Sequence, residues 1–302
     1  MLYYKYMLKP VSSFVTYPAS DTVFGQICRM LEYDGVDLNE LLANYESDPF
    51  AVVSNMLLNG TGSAAPEIKE QYKGSRSEKV AQMKERKKRK QKNCVLITDI
   101  LNGIIDNAFS ISASKTVQIV RNSISRSSGS TDKEGFAPYS VSETFYRADA
   151  RFHLYVYVKD GYAELVTNAI TRMGEFGFGK DASTGKGRFV VIGEPESVTV
   201  PINESHNAVY TLGNCVLEDV PCDRDKMFYD VCTRFGKHGG GDSKPFKNPV
   251  VMAKQGALLF MQNIENEKPY IGKGIRGLSR YENTIHKGYS LYVPVEVEVK
   301  NG

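Results

Sequence analysis

The 302-residue sequence has no tryptophan, four histidines, twelve prolines and an odd five cysteines, and each shortage closes off a class of protein. Without tryptophan, any aromatic stacking surface must come from the 18 tyrosines and 14 phenylalanines. The histidines, His153, His206, His238 and His286, leave little material for imidazole acid–base chemistry. Cys28, Cys94, Cys215, Cys222 and Cys232 contain no C-x-x-C pair, which argues against a disulfide framework and a zinc ribbon. Cys28 shares a helical face with Phe24 and Leu31 and reads as a small buried apolar residue. Cys215, Cys222 and Cys232 lack the close pairing of structural zinc ligands, so neither metal nor cofactor is expected. The longest apolar runs, GALLFM from Gly256 and LYVYV from Leu154, fall far short of the roughly 20 residues that span a bilayer. The opening MLYYKYMLKP lacks the features of a secretory signal, so a cytoplasmic chain is expected. With 41% apolar and 24% charged residues, the length suits two packed domains.

What is there is unevenly charged. Segment 69–92 holds eleven Lys and Arg against three Glu, a surplus of +8, whereas the whole chain carries a formal +3, so everything else sums to −5. The run KERKKRKQK suits a surface that tracks phosphates, because each neutralised phosphate releases counterions. A solvated helical face has the same composition.

Along the chain, residues 1–8 read as a strand. Ser20 or Asp21 is placed to cap a helix carrying Val23, Phe24, Ile27, Cys28, Met30 and Leu31 on one face, ended by Gly35. Residues 37–45 and 66–92 read as helical and 50–58 as strand or helix, together forming an insertion over about 37–106. A polar loop protrudes over about 112–140, and SVSETFYRA and ARFHLYVYV then read as adjacent strands. A helix bearing Leu165, Val166, Ala169, Ile170 and Met173 and a strand at RFVVIGE complete a β-α-β-β-α-β order. The fold class is therefore α+β, with two ferredoxin-like (RRM-like) domains, 1–200 and 201–302. The second is a degenerate copy: a strand at 208–212, a helix over 223–235, a hairpin across 249–262 and a final half-exposed strand. In that last strand Val293, Val295, Val297 and Val299 alternate with Pro294, Glu296, Glu298 and Lys300.

GFGKDASTGKGRF (Gly177–Phe189) packs four glycines, two lysines and an arginine into one loop. Glycine amides can approach anionic oxygens closely, and Lys180, Lys186 and Arg188 add charge; a turn using glycine for its φ angles is the plainer reading. Gly179 and Gly185 are separated by five residues rather than the P-loop's four, and Gly187 stands where its Ser or Thr belongs. GFGKDA and GKGIRG (Gly272–Gly277) match dinucleotide fingerprints loosely and strictly, but each leads into a strand rather than from strand to helix, which excludes a Rossmann site.

Five segments in order, SDTVFGQI (20–27), RNSISRSSGST (121–131), GFGKDASTGKGRF, GGGDSKPFKNPVVMAKQGALLF (239–260) and HKGYSLYVPV (286–295), give the chain a further reading. It resembles the RAMP superfamily of CRISPR effector subunits, closest to the subunit capping the crRNA 5′ handle in type III-A (Csm) interference complexes. The resemblance implies ferredoxin-like domains gripping the repeat-derived end of a guide RNA, with target RNA nearby. It also implies contact with the large polymerase-type signalling subunit and the first backbone RAMP subunit. RNxIxRxxGxT corresponds to the family's extended thumb, which makes Arg121, Asn122, Arg126 and Thr131 RNA contacts. The family often has His where this chain has Arg121, a change that keeps a cation and loses imidazole chemistry. The glycine loop corresponds to the one lying against the RNA backbone, which carries over Gly179, Lys180, Ser183, Gly185, Lys186 and Arg188; Lys273 and Arg276 of the second glycine cluster join the set. The basic run 84–92 is not matched to any element of the family, and the resemblance assigns it no role.

Some RAMP relatives cut RNA without metal through a histidine. Here His153 lies inside a strand pattern, His206 and His238 lie in loops, and His286 precedes the last strand. Backbone subunits cut with a loop Asp, but turn chemistry accounts for Asp132 and Asp181. The expectation is therefore a non-catalytic RNA-binding subunit of an antiviral interference complex. The alternatives are a metal-independent endoribonuclease processing precursor crRNA through His286, and an adaptor whose loops bind protein.

Overall fold

In the computed structural model, residues 2–66, 72–89, 91–104, 107–125, 128–129, 131, 138–238, 245–261, 264 and 268–297 are described. β1 (Leu2–Pro10) places Tyr3 and Tyr6 on opposite faces, as a strand must. The chain continues through α1 (Ser20–Tyr33), the single turn α2 (Leu38–Leu41), β2 (Ala51–Val53), β3 (Leu57–Leu58) and β4 (Thr61–Ser63). Then follow α3 (Arg76–Arg89), β5 (Cys94–Leu96), α4 (Ile97–Leu101), β6 (Ser114–Arg121), β7 (Tyr139–Tyr146), β8 (Phe152–Val158), α5 (Ala163–Phe176) and β9 (Phe189–Thr199). The first sheet is β2-β8-β1-β9, antiparallel throughout, with β3 also on β8. Its strands and flanking helices follow the order β1–α1–β2–β8–α5–β9, the predicted succession.

The identity of one strand differs from the sequence reading. SVSETFYRA does not neighbour ARFHLYVYV: as β7 it pairs over eight residues with β6 in a separate two-stranded ribbon, and the sheet takes β2 from the supposed insertion instead. Both segments alternate, but β7 is largely exposed and β8 largely buried, a distinction that depends on partners. The segment expected to protrude as a loop thus begins and ends in paired strands. Residues 37–45 form one turn rather than a helix; within 66–92 the helix described is α3, with no buried residue among its described side chains, and 67–71 and 90 lie outside the described residues.

α1 buries Val23, Phe24, Ile27, Met30 and Leu31 as the spacing requires, with Cys28 among them; burial pushes that thiol up to about 12. Neither Ser20 nor Asp21 caps it. Ala19 is the N-cap residue and makes no side-chain cap, and the Ser20 N–H donates to Asn55 Oδ1 at 2.8 Å, a partner 35 residues away.

The second sheet has the order β11-β14-β10-β16-β15, from β10 (Ala208–Thr211), β11 (Cys222–Phe228), β14 (Leu258–Met261), β15 (Tyr270–Ile275) and β16 (His286–Val295); β12 (Val231–Arg234) pairs with β13 (Val250–Ala253) apart from it. No helix occurs among its described residues, so the helix expected over 223–235 is replaced by β11 and β12. That segment carries Met227, Phe228, Val231 and Cys232, whose types favour a pleated surface once partners are available. The expected 249–262 hairpin is also absent: β13 and β14 are consecutive but pair in different sheets.

All ten residues of β16 are buried, against the half-exposed expectation. Tyr289, Leu291, Val293 and Val295 join the large core shared with the first sheet, and Tyr292 joins a second cluster with Val209, Leu259 and Ile271. Alternation separates two faces here, but both are covered until Glu296, which is exposed; Val299 lies outside the described residues. The Tyr3 hydroxyl lies 2.6 Å from the Tyr292 carbonyl and 3.0 Å from that of Pro269, linking the two sheets.

Candidate functional site

The loop leaving α5 is built on left-handed turns. Gly187 has φ +72°, and a Cβ there would lie 2.1 Å from the Phe178 carbonyl oxygen; Gly179, at φ +77°, lies against Thr16. The loop is stitched to residues 11–16: Lys180 N–H donates to Thr16 Oγ1 (2.8 Å), Gly187 N–H to the Ser13 carbonyl (2.8 Å), and Arg188 N–H to Ser12 Oγ (2.8 Å). Three amides that glycine was expected to free for phosphate are therefore already bonded within the chain. Phe14 reinforces the seam, with ring centroids 5.4 Å from Tyr146, 5.4 Å from Phe152 and 6.0 Å from Phe178.

The β6–β7 ribbon and the glycine loop, separate motifs in the sequence, meet at Glu143. This carboxylate on β7 is 1% exposed and accepts from Lys186 Nζ, Ser13 Oγ and Arg121. Arg121 also pairs with Asp181, held in the left-handed region at φ 63°. Burial pushes the Glu143 carboxyl up, but the Lys186 and Ser13 hydrogen bonds, the Lys186 charge and the Arg121 hydrogen bond together outweigh it and leave the group below the usual carboxylate value.

The expected contacts divide accordingly. Arg121 and Lys186 are held by acids, each about a quarter exposed, with one edge left toward solvent. Lys180, Ser183 and Arg188 are exposed; the Lys180 ammonium lies 5.9 Å from the Tyr139 ring centroid. Asn122 is exposed beside Arg121 and Thr131 is half-buried, whereas Arg126, like Asp132, falls outside the described residues. Gly179 and Gly185 shape the loop through positive φ. Lys273 and Arg276 do not join this group: Lys273 pairs with Glu218 and Asp219 at 3.0 Å each. Arg276 binds Glu46 (2.8 Å) and the Leu42 carbonyl (2.7 Å), fastening β15 to the turns after α2. Sequence reading missed Glu143, Ser12, Ser13, Thr16 and Tyr139. Glu143 shares a strand face with Val141 and Phe145, an acid on the apolar side of the alternation, but nothing local names the distant cations that hold it.

None of the histidines stands in this group. His153 is half-buried in β8 and its pKa is lowered by burial first and by Lys5; His206 accepts from the Asn203 N–H at 3.2 Å; His238 lies 2.8 Å from Ser279. His286 is 6% exposed, and burial foremost pushes its pKa down to about 4. Among the described residues no group of three or more His, Cys, Asp or Glu is placed to hold a metal, and no helix is long and apolar enough to cross a membrane.

The sequence matches no protein-family model and no curated protein. Solved structures do match. A chain of a Csm1-Csm4 cassette in complex with cA4 superposes with TM-score 0.60 at 15% identity, covering 99% of this chain and 100% of that one. The cassette with AMPPNP gives 0.59 at 15% identity over the whole of both chains. A Csm3-Csm4 subcomplex of the type III-A CRISPR-Cas interference complex gives 0.56 at 14%, covering 96% and 99%. At such identities the likeness is one of fold.

Proposed function

We propose that this chain, whose fold is that of a RAMP-type CRISPR subunit, is a non-catalytic RNA-binding subunit of a type III-A interference complex. In this reading it holds the repeat-derived 5′ handle of crRNA and bridges the large polymerase-type subunit to the backbone subunits. The observation that carries it is the end-to-end fold likeness to chains of the Csm1-Csm4 and Csm3-Csm4 assemblies, which share Csm4. The strand order β2-β8-β1-β9 supports a ferredoxin-like unit over 1–200, and the change of sheet near 200 supports a second unit over 201–302.

The glycine loop supplies the grip. Its backbone is fixed to residues 11–16 and its salt-bridged base to the β6–β7 ribbon, so Lys180 and Arg188 meet a phosphate chain from a rigid platform. Arg121 and Lys186 act chiefly by positioning the ribbon against the loop. A cleaving role for His286 is not favoured, because an imidazole so buried cannot reach a ribose hydroxyl on a polymer.

The test is guide-RNA binding by the assembled complex with Lys180→Ala and Arg188→Ala. The expected outcome is loss of handle protection, with the slope of log affinity against log salt shallower by about 0.7 per cation removed. Unchanged protection and slope overturn the grip, and normal assembly on RNA lacking the handle favours the protein-adaptor alternative.

A further inference from the structure

The segment that tethers the glycine loop continues into a second feature. Tyr17, next to Thr16, is 65% exposed and lines a cleft of about 230 Å³. Asn55, Asn214, Gln255, Arg234 and Lys254 line it. Its floor is a fixed network: Asn214 N–H donates to Ser20 Oγ (3.1 Å), and Asn214 Oδ1 accepts the Gln255 N–H (3.1 Å). Gln255 Oε1 accepts the Ser63 N–H (3.0 Å) and its Nε2 donates to Tyr210 (3.0 Å). Four distant stretches of chain therefore meet here with their amides already oriented.

Charge at the cleft is positive. Arg234 is held through Nε to Asp21 and through Nη2 to Thr22, both at 2.8 Å, and among the described residues its Nη1 has no partner. Lys254 is exposed on the rim. The volume lies below the roughly 300 Å³ at which pockets for larger organic molecules begin, and it suits a planar heterocycle with an anionic tail.

We infer that this cleft takes one unpaired nucleotide of a bound RNA strand, its base against the Tyr17 ring and its phosphate at Arg234 and Lys254. The inference rests on the RNA-binding reading of the glycine loop and extends it. The Thr16 hydroxyl holds Lys180 N–H at 2.8 Å and Tyr17 is the next residue, so the glycine loop and the cleft are one residue apart along the chain. Stacking on an exposed ring beside cations that hold the phosphate is how single-stranded nucleic acids are bound.

The test uses the full chain with single-stranded RNA of the repeat sequence containing 5-iodouridine, photocrosslinked and mapped by peptide mass spectrometry. Binding is followed in parallel by anisotropy. Crosslinks at Tyr17, Tyr17→Ala weakening RNA binding about tenfold, Tyr17→Phe within twofold of the parent, and Lys254→Ala weakening it severalfold support the assignment; circular dichroism checks that each variant is folded. RNA binding indifferent to Tyr17→Ala, with crosslinks confined to 177–189, overturns the cleft while leaving the glycine-loop reading intact. Absence of RNA binding by the parent chain overturns both. Free AMP or UMP bound in a Tyr17-dependent way, without an effect of Tyr17 on RNA affinity, overturns the assignment to a strand.

Discussion

Glu143 shows how one side chain can fix two motifs at once. Its three partners come from β6, from the segment after β1 and from the glycine loop. Glu143→Gln removes the charge while Arg121 and Lys186 stay, and should cost about 2 kcal/mol in urea denaturation at pH 7, at the low side of buried-pair losses because both cations can rehydrate. The native carboxyl titrates below its unfolded value, so its contribution is fully present above the ordinary glutamate range and is lost as pH falls through the lower native value. The parent should therefore lose more stability on acidification below about pH 4.5 than the variant does. Lys287 has the opposite character. It is 2% exposed and donates to the Val53 carbonyl at 2.9 Å, and burial, only partly offset by Asp21, lowers its pKa to about 7. The unfolded lysine binds a proton that the native one releases between about pH 7 and 10.5, so this group makes stability rise with pH there, by at most about 1.4 kcal/mol per pH unit. Lys287→Met should flatten that rise, as measured by denaturation midpoints from pH 7 to 10.

At the scale of elements, the glycine loop separates two costs that sequence presents as one. Gly185 and Gly187 both have positive φ, +85° and +72°, but a Cβ at Gly185 meets nothing within 4 Å whereas one at Gly187 strikes the Phe178 backbone. Gly185→Ala should cost about 1 kcal/mol from backbone strain alone. Gly187→Ala should cost about 3 kcal/mol, because it must also move Phe178 out of the aromatic contact with Phe14. Thermal melts of the two variants side by side check this; equal losses would contradict the geometry. The glycines were legible in the sequence as a special loop. Which of them is sterically closed was not, since the closing atoms are backbone of the same loop folded back.

For the whole molecule, the first sheet, α1 and β16 share one core, so the change of sheet near residue 200 does not divide the hydrophobic interior. The chain should unfold in a single transition by both near- and far-UV circular dichroism. A fragment ending at residue 200 should lack near-UV structure, because it leaves open the face that Tyr289, Leu291, Val293 and Val295 cover. Two resolved transitions, or a folded fragment, would contradict a common core.

The sequence alone determined the elements whose periodicity is local: β1, α1, β8, α5 and β9, the glycine loop between the last two, and the concentration of charge around α3. These follow from spacing, because a helix face or a strand face is written in consecutive residues. Tertiary structure decided what depends on partners far along the chain. It put β7 in a ribbon and β2 in the sheet, turned 223–235 into strands, covered both faces of β16, and replaced a local cap on α1 with Asn55. It also sorted the cations, drawing Arg121, Lys186, Lys273 and Arg276 to acids and leaving Lys180 and Arg188 exposed, since a charge's availability depends on which opposite charge the fold brings within reach.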